Sequence, residues 1–248
     1  MATKVASYGR AAVMVINHHM SPPARNPTFI EDVAKAIIYA ASNPDKLSYD
    51  SEKLILMCHG TGCLMSETIL LNPTKVAPMA AFINSIGFTD KIKGAIGVEG
   101  VYDLPKHALT VSMTDLETIK VAMGRARKDW VESSPALNPP DSTWTGKTLP
   151  KHYLIQSRTD ELVDPIQTVN FFNHIINNSG YASIKPNLPG SHYLVLETDD
   201  FAKYISDVVG KVTIFADTSK NPQVLPMKAP NQPQQQPQSQ PIHINHHP

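Results

Sequence analysis

Three positions of this 248-residue chain have the types and order that acyl-transfer chemistry needs, except for one missing atom. Cys58-His59-Gly60-Thr61-Gly62 follows the apolar run at residues 54–58 and precedes a helical pattern. Strand, tight turn and helix in that order form the setting of a G-x-S-x-G nucleophile elbow, which lifts a serine Oγ clear of the sheet. Gly60 stands where the serine belongs. Downstream, Asp160 follows the run at 152–156 within Ser157-Arg158-Thr159-Asp160-Glu161. His192 follows the run at 182–186 within Pro189-Gly190-Ser191-His192. An acid in the first of these loops would fix the tautomer of a histidine in the second, and that histidine would take the nucleophile's proton. Asp164, just ahead of Pro165, is more simply the N-cap of the helix opening there. A single loop Asp or His is usually only a solvated polar residue. The information lies in three positions that follow three successive strands in the right order.

The elements that must hold these groups alternate along the chain. Short apolar runs rich in β-branched residues, at 11–16, 54–58, 94–98, 152–156 and 182–186, read as about five strands. Segments of helical period lie between them, which predicts βαβ units and a mostly parallel sheet with flanking helices. Residues 29–42 carry Phe29, Val33, Ala36, Ile37 and Ala40 at helical spacing. A helix over 61–71 is stopped by Asn72-Pro73, one over 165–178 is closed by Gly180, and a last one covers 201–215. Excursions at 72–90 and 104–148 are candidates for a cap over the pocket; the second holds a helical stretch near 114–123. Residues 1–215 are expected to form one α/β domain. The Pro-, Gln- and His-rich segment 216–248 has too few apolar residues to offset its ordering entropy and reads as a disordered tail. His243, His246 and His247 make no closed ligand set, so no metal is expected, and no other cofactor.

Bulk properties narrow the partners. The 22 basic and 22 acidic residues cancel, so no long-range field favours nucleic acid or an anionic membrane. No apolar run approaches the ~20 residues needed to cross a bilayer. The N-terminus lacks an apolar leader core, so the expected compartment is the cytoplasm. Cys58 and Cys63 are too few for a disulfide framework and are expected as reduced thiols. Asn177-Asn178-Ser179 matches a glycosylation sequon, but nothing else suggests secretion.

The motifs as a set resemble the α/β-hydrolase family, in its branch of small carboxylesterases and kynurenine-formamidase-like proteins. Val15-Ile16-Asn17-His18-His19-Met20-Ser21-Pro22 is similar to that branch's V-x-I-N-Y-R-L-S-P segment, and Phe29-Ile30-Glu31-Asp32-Val33 to the helix after it. Cys58-His59-Gly60-Thr61-Gly62 stands where the branch has G-H-S-A-G. Gly100-Val101-Tyr102-Asp103-Leu104 resembles G-x-Y-D-L, and Trp130-Val131-Glu132-Ser133-Ser134-Pro135 resembles W-x-x-A-S-P. Thr159-Asp160-Glu161-Leu162-Val163 and Gly190-Ser191-His192 complete the likeness, which covers roughly residues 5–215. The resemblance implies hydrolysis of a carboxylic ester or formamide, a small-molecule substrate, and His59 as an ordinary residue at its place.

Two departures fall on the machinery the resemblance implies. Gly60 keeps or relaxes the turn, because glycine enters left-handed backbone freely, but it deletes the attacking oxygen. The H-G-G-G-type loop that donates an oxyanion-hole amide is absent ahead of residue 11, which leaves the Thr61 backbone amide as that hole's donor. The expected sheet therefore lacks its N-terminal strands. Residues 11–16 and 54–58 must pair directly or leave open edges, and an exposed edge would favour a homodimer. The expected protein is a weak or inactive hydrolase that keeps Asp160 and His192. The alternatives are an active hydrolase in which that pair activates water or Cys63 attacks, and a non-enzymatic binding protein.

Overall fold

The computed structural model describes residues 1–8, 11–43 and 49–214. Its elements run α1 (Ala2–Ser7), α2 (Thr28–Ser42), β1 (Leu54–His59), α3 (Gly62–Leu71), α4 (Ala77–Phe82), α5 (Phe88–Lys91), β2 (Ile92–Val98), α6 (Leu104–His107), α7 (Met113–Met123), α8 (Arg127–Glu132), β3 (Lys151–Ser157), α9 (Ile166–Asn177), β4 (Ala182–Leu188) and α10 (Asp199–Ile214). The strands form one parallel sheet in the order β1-β2-β3-β4.

Side chains of period two send the strands' apolar residues into two cores, one on each face. Leu56 and Cys58 of β1, Ala95 of β2 and Leu154 of β3 enter the larger core, beneath α2, α3 and α9. Ile55 and Met57, Ile96 and Val98, and Tyr153 and Ile155 enter the smaller one, with α1 and α10. Helix α3 is buried on every side from Cys63 to Leu71, with Glu67 taken up by His152 of β3. The Trp144 Nε1–H donates to the Leu70 carbonyl at 2.9 Å, so the second excursion is tied to that helix.

Among the described residues the sheet has four strands, and residues 11–16 join no ladder. Ala11 and Val13 pack against the smaller core, Ile16 against the larger, and Met14 and Val15 are exposed. The segment thus passes from one face of the sheet to the other instead of extending it, and β1 is left as an edge. An apolar, β-branched run encodes a wish for burial; its pairing depends on a distant neighbour that composition does not specify. The excursion at 72–90 has elements of its own. It folds into short helices whose Met79 and Phe88 are fully buried, and α4 packs on α2. Among the described residues no helix is long and apolar enough to cross a membrane. The tail at 216–248, with His243, His246 and His247, lies outside the described residues.

Candidate active site

The carboxyl ends of β1, β2 and β3 and the loop after β4 converge on one point. The chain leaves β1 through Gly60, whose φ of +54° is left-handed backbone that glycine adopts without the ~1–3 kcal/mol charged to other residues. The Gly60 N–H donates to the Val98 carbonyl at 3.0 Å, and the Gly60 carbonyl accepts from the Val101 and Cys63 amides at 3.0 and 3.1 Å. The turn is therefore bolted to β2 and to the start of α3. A Cβ placed on Gly60 would lie 3.0 Å from His192 Nε2, so residue 60 and that ring nitrogen face each other directly.

His192 is 4% exposed and held on several sides. Its Nδ1–H donates to Asp160 Oδ1 at 3.0 Å, its backbone N–H donates to Glu161 Oε2 at 3.1 Å, and its carbonyl accepts from His59 Nε2 at 2.9 Å. No hydrogen bond occupies Nε2 among the described residues. Asp160 accepts in addition from the Leu162 and Val163 amides at 2.9 and 3.0 Å and from Gln156 Nε2 at 3.2 Å. Burial works to raise the Asp160 carboxyl, but the His192 and backbone hydrogen bonds outweigh it and hold the group below the usual carboxylate range. Burial likewise pulls His192 down; the Asp160 hydrogen bond and the charges of Asp160, Glu99 and Glu161 more than reverse this and leave it above the ordinary histidine value. Asp164 sits apart from the site and caps α9, accepting from the Ile166 amide at 2.9 Å.

Among the described residues neither the Thr61 nor the Gly62 amide donates to a carbonyl or side chain, while those of Cys63 and Leu64 turn back onto the Gly60 and Thr61 carbonyls. The expectation of reduced thiols is not met. Cys58 and Cys63 are joined in a disulfide, with Cα atoms 4.8 Å apart. The tight elbow folds the end of β1 back against the first turn of α3 and brings together two residues that simple counting leaves single. With its sulfur bonded and the residue fully buried, Cys63 offers no thiolate to attack a substrate.

Comparison with known proteins places the chain in a family. Residues 2–175, more than two thirds of the chain, match the BD-FAE family. The chain belongs to that family. A kynurenine formamidase of the yeast Meyerozyma guilliermondii is 26% identical to this BD-FAE member over 195 residues, covering 79% of the chain and 71% of its relative. A truncated carbohydrate esterase from gut microbiota superposes with a TM-score of 0.65 at 22% identity, over 80% of this chain and 73% of that one. A fungal esterase of Rhizomucor miehei gives 0.64 at 16% identity, over 86% and 68%. The fold is that of an α/β-hydrolase, and the protein is esterase- and formamidase-like.

Sequence reasoning passed over two residues of the site in this BD-FAE protein. Glu99, fully buried just beyond β2, adopts a left-handed φ of 48° although it is not glycine. Its Oε1 accepts from the Ser157 amide at 3.1 Å, and its Oε2 lies 3.3 Å from His192 Nδ1 and 3.6 Å from His59 Nε2. A carboxylate between apolar residues, in Gly97-Val98-Glu99-Gly100-Val101, was the available signal. Gln167 of α9 accepts from the Tyr102 and Asp103 amides at 3.0 and 2.8 Å and donates to the Asp103 carbonyl at 2.9 Å, fixing the loop after β2. His59, Glu99 and His192 are close enough together to suggest a cation site. Each ring nitrogen facing Glu99 already donates elsewhere, however, so neither presents a lone pair there.

Proposed function

We propose that this protein is a degenerate ester or formamide hydrolase, which keeps the Asp160–His192 pair of its ancestry and turns over little or no substrate. One observation carries the reading: glycine occupies the position that faces His192 Nε2, so the base has no hydroxyl to deprotonate. Removing the nucleophile of a serine hydrolase such as subtilisin costs roughly 10⁶-fold in kcat, and what survives depends on the oxyanion hole and binding. Here Thr61 supplies a free amide for such a hole. The formamidase and esterase relatives suggest formamides and small carboxylic esters as the substrate class. Purified protein should hydrolyse neither p-nitrophenyl acetate nor N-formylkynurenine above a buffer blank. A rate near that of an ordinary esterase, abolished by His192→Ala, would overturn the reading. A slower rate abolished by both His192→Ala and Asp160→Asn would favour the second reading, in which the pair activates water directly; the unoccupied Nε2 is the observation behind it.

A further inference from the structure

The elbow and its histidine lack more than an oxygen, because His192 Nδ1 faces two carboxylates. Asp160 takes the hydrogen bond at 3.0 Å, and Glu99 Oε2 stands 3.3 Å from the same nitrogen. Both carboxylate side chains are fully buried. Among the described residues nothing donates a hydrogen bond to Glu99 Oε2, although Oε1 is anchored to the Ser157 amide. A buried carboxylate oxygen without a donor is costly unless a positive charge stands beside it, and an opposite charge within ~4–6 Å favours the charged form of its neighbour. A non-glycine residue in left-handed backbone is also a strained arrangement of a kind concentrated at functional sites.

We propose that Glu99 is a positioning residue that, together with Asp160, holds His192 as an imidazolium and so takes away its capacity to act as a base near neutral pH. The inference deepens the reading of a degenerate hydrolase and rests on it for its functional meaning. It places a second lesion in the catalytic machinery, independent of Gly60. A histidine with one acid partner is neutral at rest and accepts a proton when the nucleophile attacks. With two partners on Nδ1 the ring already carries that proton, and Nε2–H points at residue 60 as a donor.

The other groups around the ring fit this account. Glu161 accepts from the His192 backbone amide and adds negative charge. His59 of β1 donates to the His192 carbonyl, its ring centroid 4.3 Å from that of His192. Tyr193 meets the ring edge-on at 5.0 Å. From α6, the buried His107 is itself pushed down by burial, so it adds little positive charge to oppose the imidazolium. The acids outnumber the cations that could compete for them.

The test is the titration of His192 in the full-length protein, followed by NMR of 13C-labelled histidine rings and assigned with His192→Gln. It needs no turnover and so stands or falls apart from the assays above. Wild-type His192 should titrate above ~6.5, and Glu99→Gln should lower its midpoint by about one pH unit. Asp160→Asn, which leaves Glu99 in place, should still titrate above ~6.5. This second variant keeps the proposal exposed even if Glu99→Gln fails to fold. An unchanged midpoint in Glu99→Gln, or a fall to ~6.5 or below in Asp160→Asn, would overturn the role given to Glu99. The functional counterpart uses Gly60→Ser. Fluorophosphonate labelling at residue 60 should rise with pH at a midpoint that Gly60→Ser/Glu99→Gln moves down by the same interval, and coincident profiles for the two variants would count against the proposal.

Discussion

Among the described residues two buried histidines, His152 and His192, face carboxylates, and only one of them has a nitrogen to spare. His152 of β3 and Glu67 of α3 meet at 3.1 Å inside the larger core, both almost completely buried. The other nitrogen of His152 faces the Pro150 carbonyl at 2.8 Å, and Phe171 closes on the ring from the side. Every polar atom of that ring has a fixed partner, so the pair can only hold α3 to the sheet. His192 is anchored as firmly through Nδ1 but leaves Nε2 unbonded toward residue 60. The difference comes from position along parallel strands. His152 lies near the amino end of β3, under helices, whereas Asp160 and His192 lie in loops beyond the carboxyl ends, where an α/β sheet leaves a crevice. Burial and an acidic partner do not by themselves mark a reactive histidine. An unfilled valence at the crevice does.

The sharpest way to break this comparison is to remove each histidine. His152→Ala strands a buried Glu67 carboxylate for which no other hydrogen bond is present among the described residues, and should cost about 3–5 kcal/mol in urea unfolding while leaving the His192 titration untouched. The double replacement Glu67→Met/His152→Leu should recover most of that loss, since a buried ion pair exchanged for apolar residues of similar volume is often near neutral. Next in size is the elbow disulfide. Opening its short loop in Cys58→Ser/Cys63→Ser should cost about 2 kcal/mol by loop-closure entropy. His192→Ala should cost about 2 kcal/mol, because Asp160 keeps the Leu162, Val163 and Gln156 donors while Glu99 Oε2 loses the ring beside it. A cost equal to that of His152→Ala would erase the distinction between the two pairs.

The smallest expected effect is in the pH dependence of stability. His192 is raised in the folded state, so its stabilising contribution is complete below its unfolded value of ~6.5 and is lost as pH rises through the folded value. The stability difference between wild type and His192→Ala should shrink across that alkaline interval, by about 1.4 kcal/mol for each unit of the shift. Asp160 works in the opposite sense. Its carboxyl is lowered, so its contribution is present above the unfolded value of ~3.9 and disappears as pH falls through the folded one. Urea midpoints of wild type and Asp160→Asn should accordingly converge toward low pH.

The parts of this molecule legible from its sequence were those set by local pattern and chain order. Apolar runs gave β1 to β4, and period-3.6 segments gave α2, α3, α9 and α10, because amphipathic spacing is a local property. The elbow could be placed from the strand–turn–helix signal, and the loops carrying Asp160 and His192 from their position after β3 and β4. The run at 11–16 misled because Val13 and Ile16 pack, partly buried, on opposite faces of the sheet without pairing. Cys58 and Cys63 misled because only the closed turn brings their sulfurs together.

Composition and order alone determined that this chain folds as a parallel α/β sheet, with glycine at the strand–helix turn and an acid and a histidine in the following loops. The tertiary structure alone decided that Gly60 faces Nε2, that Glu99 joins Asp160 at Nδ1, and that the other histidine–acid pair is sealed in the core. Those are distances between strands far apart in sequence, and long-range packing sets them, whereas local periodicity and turn chemistry set the elements themselves.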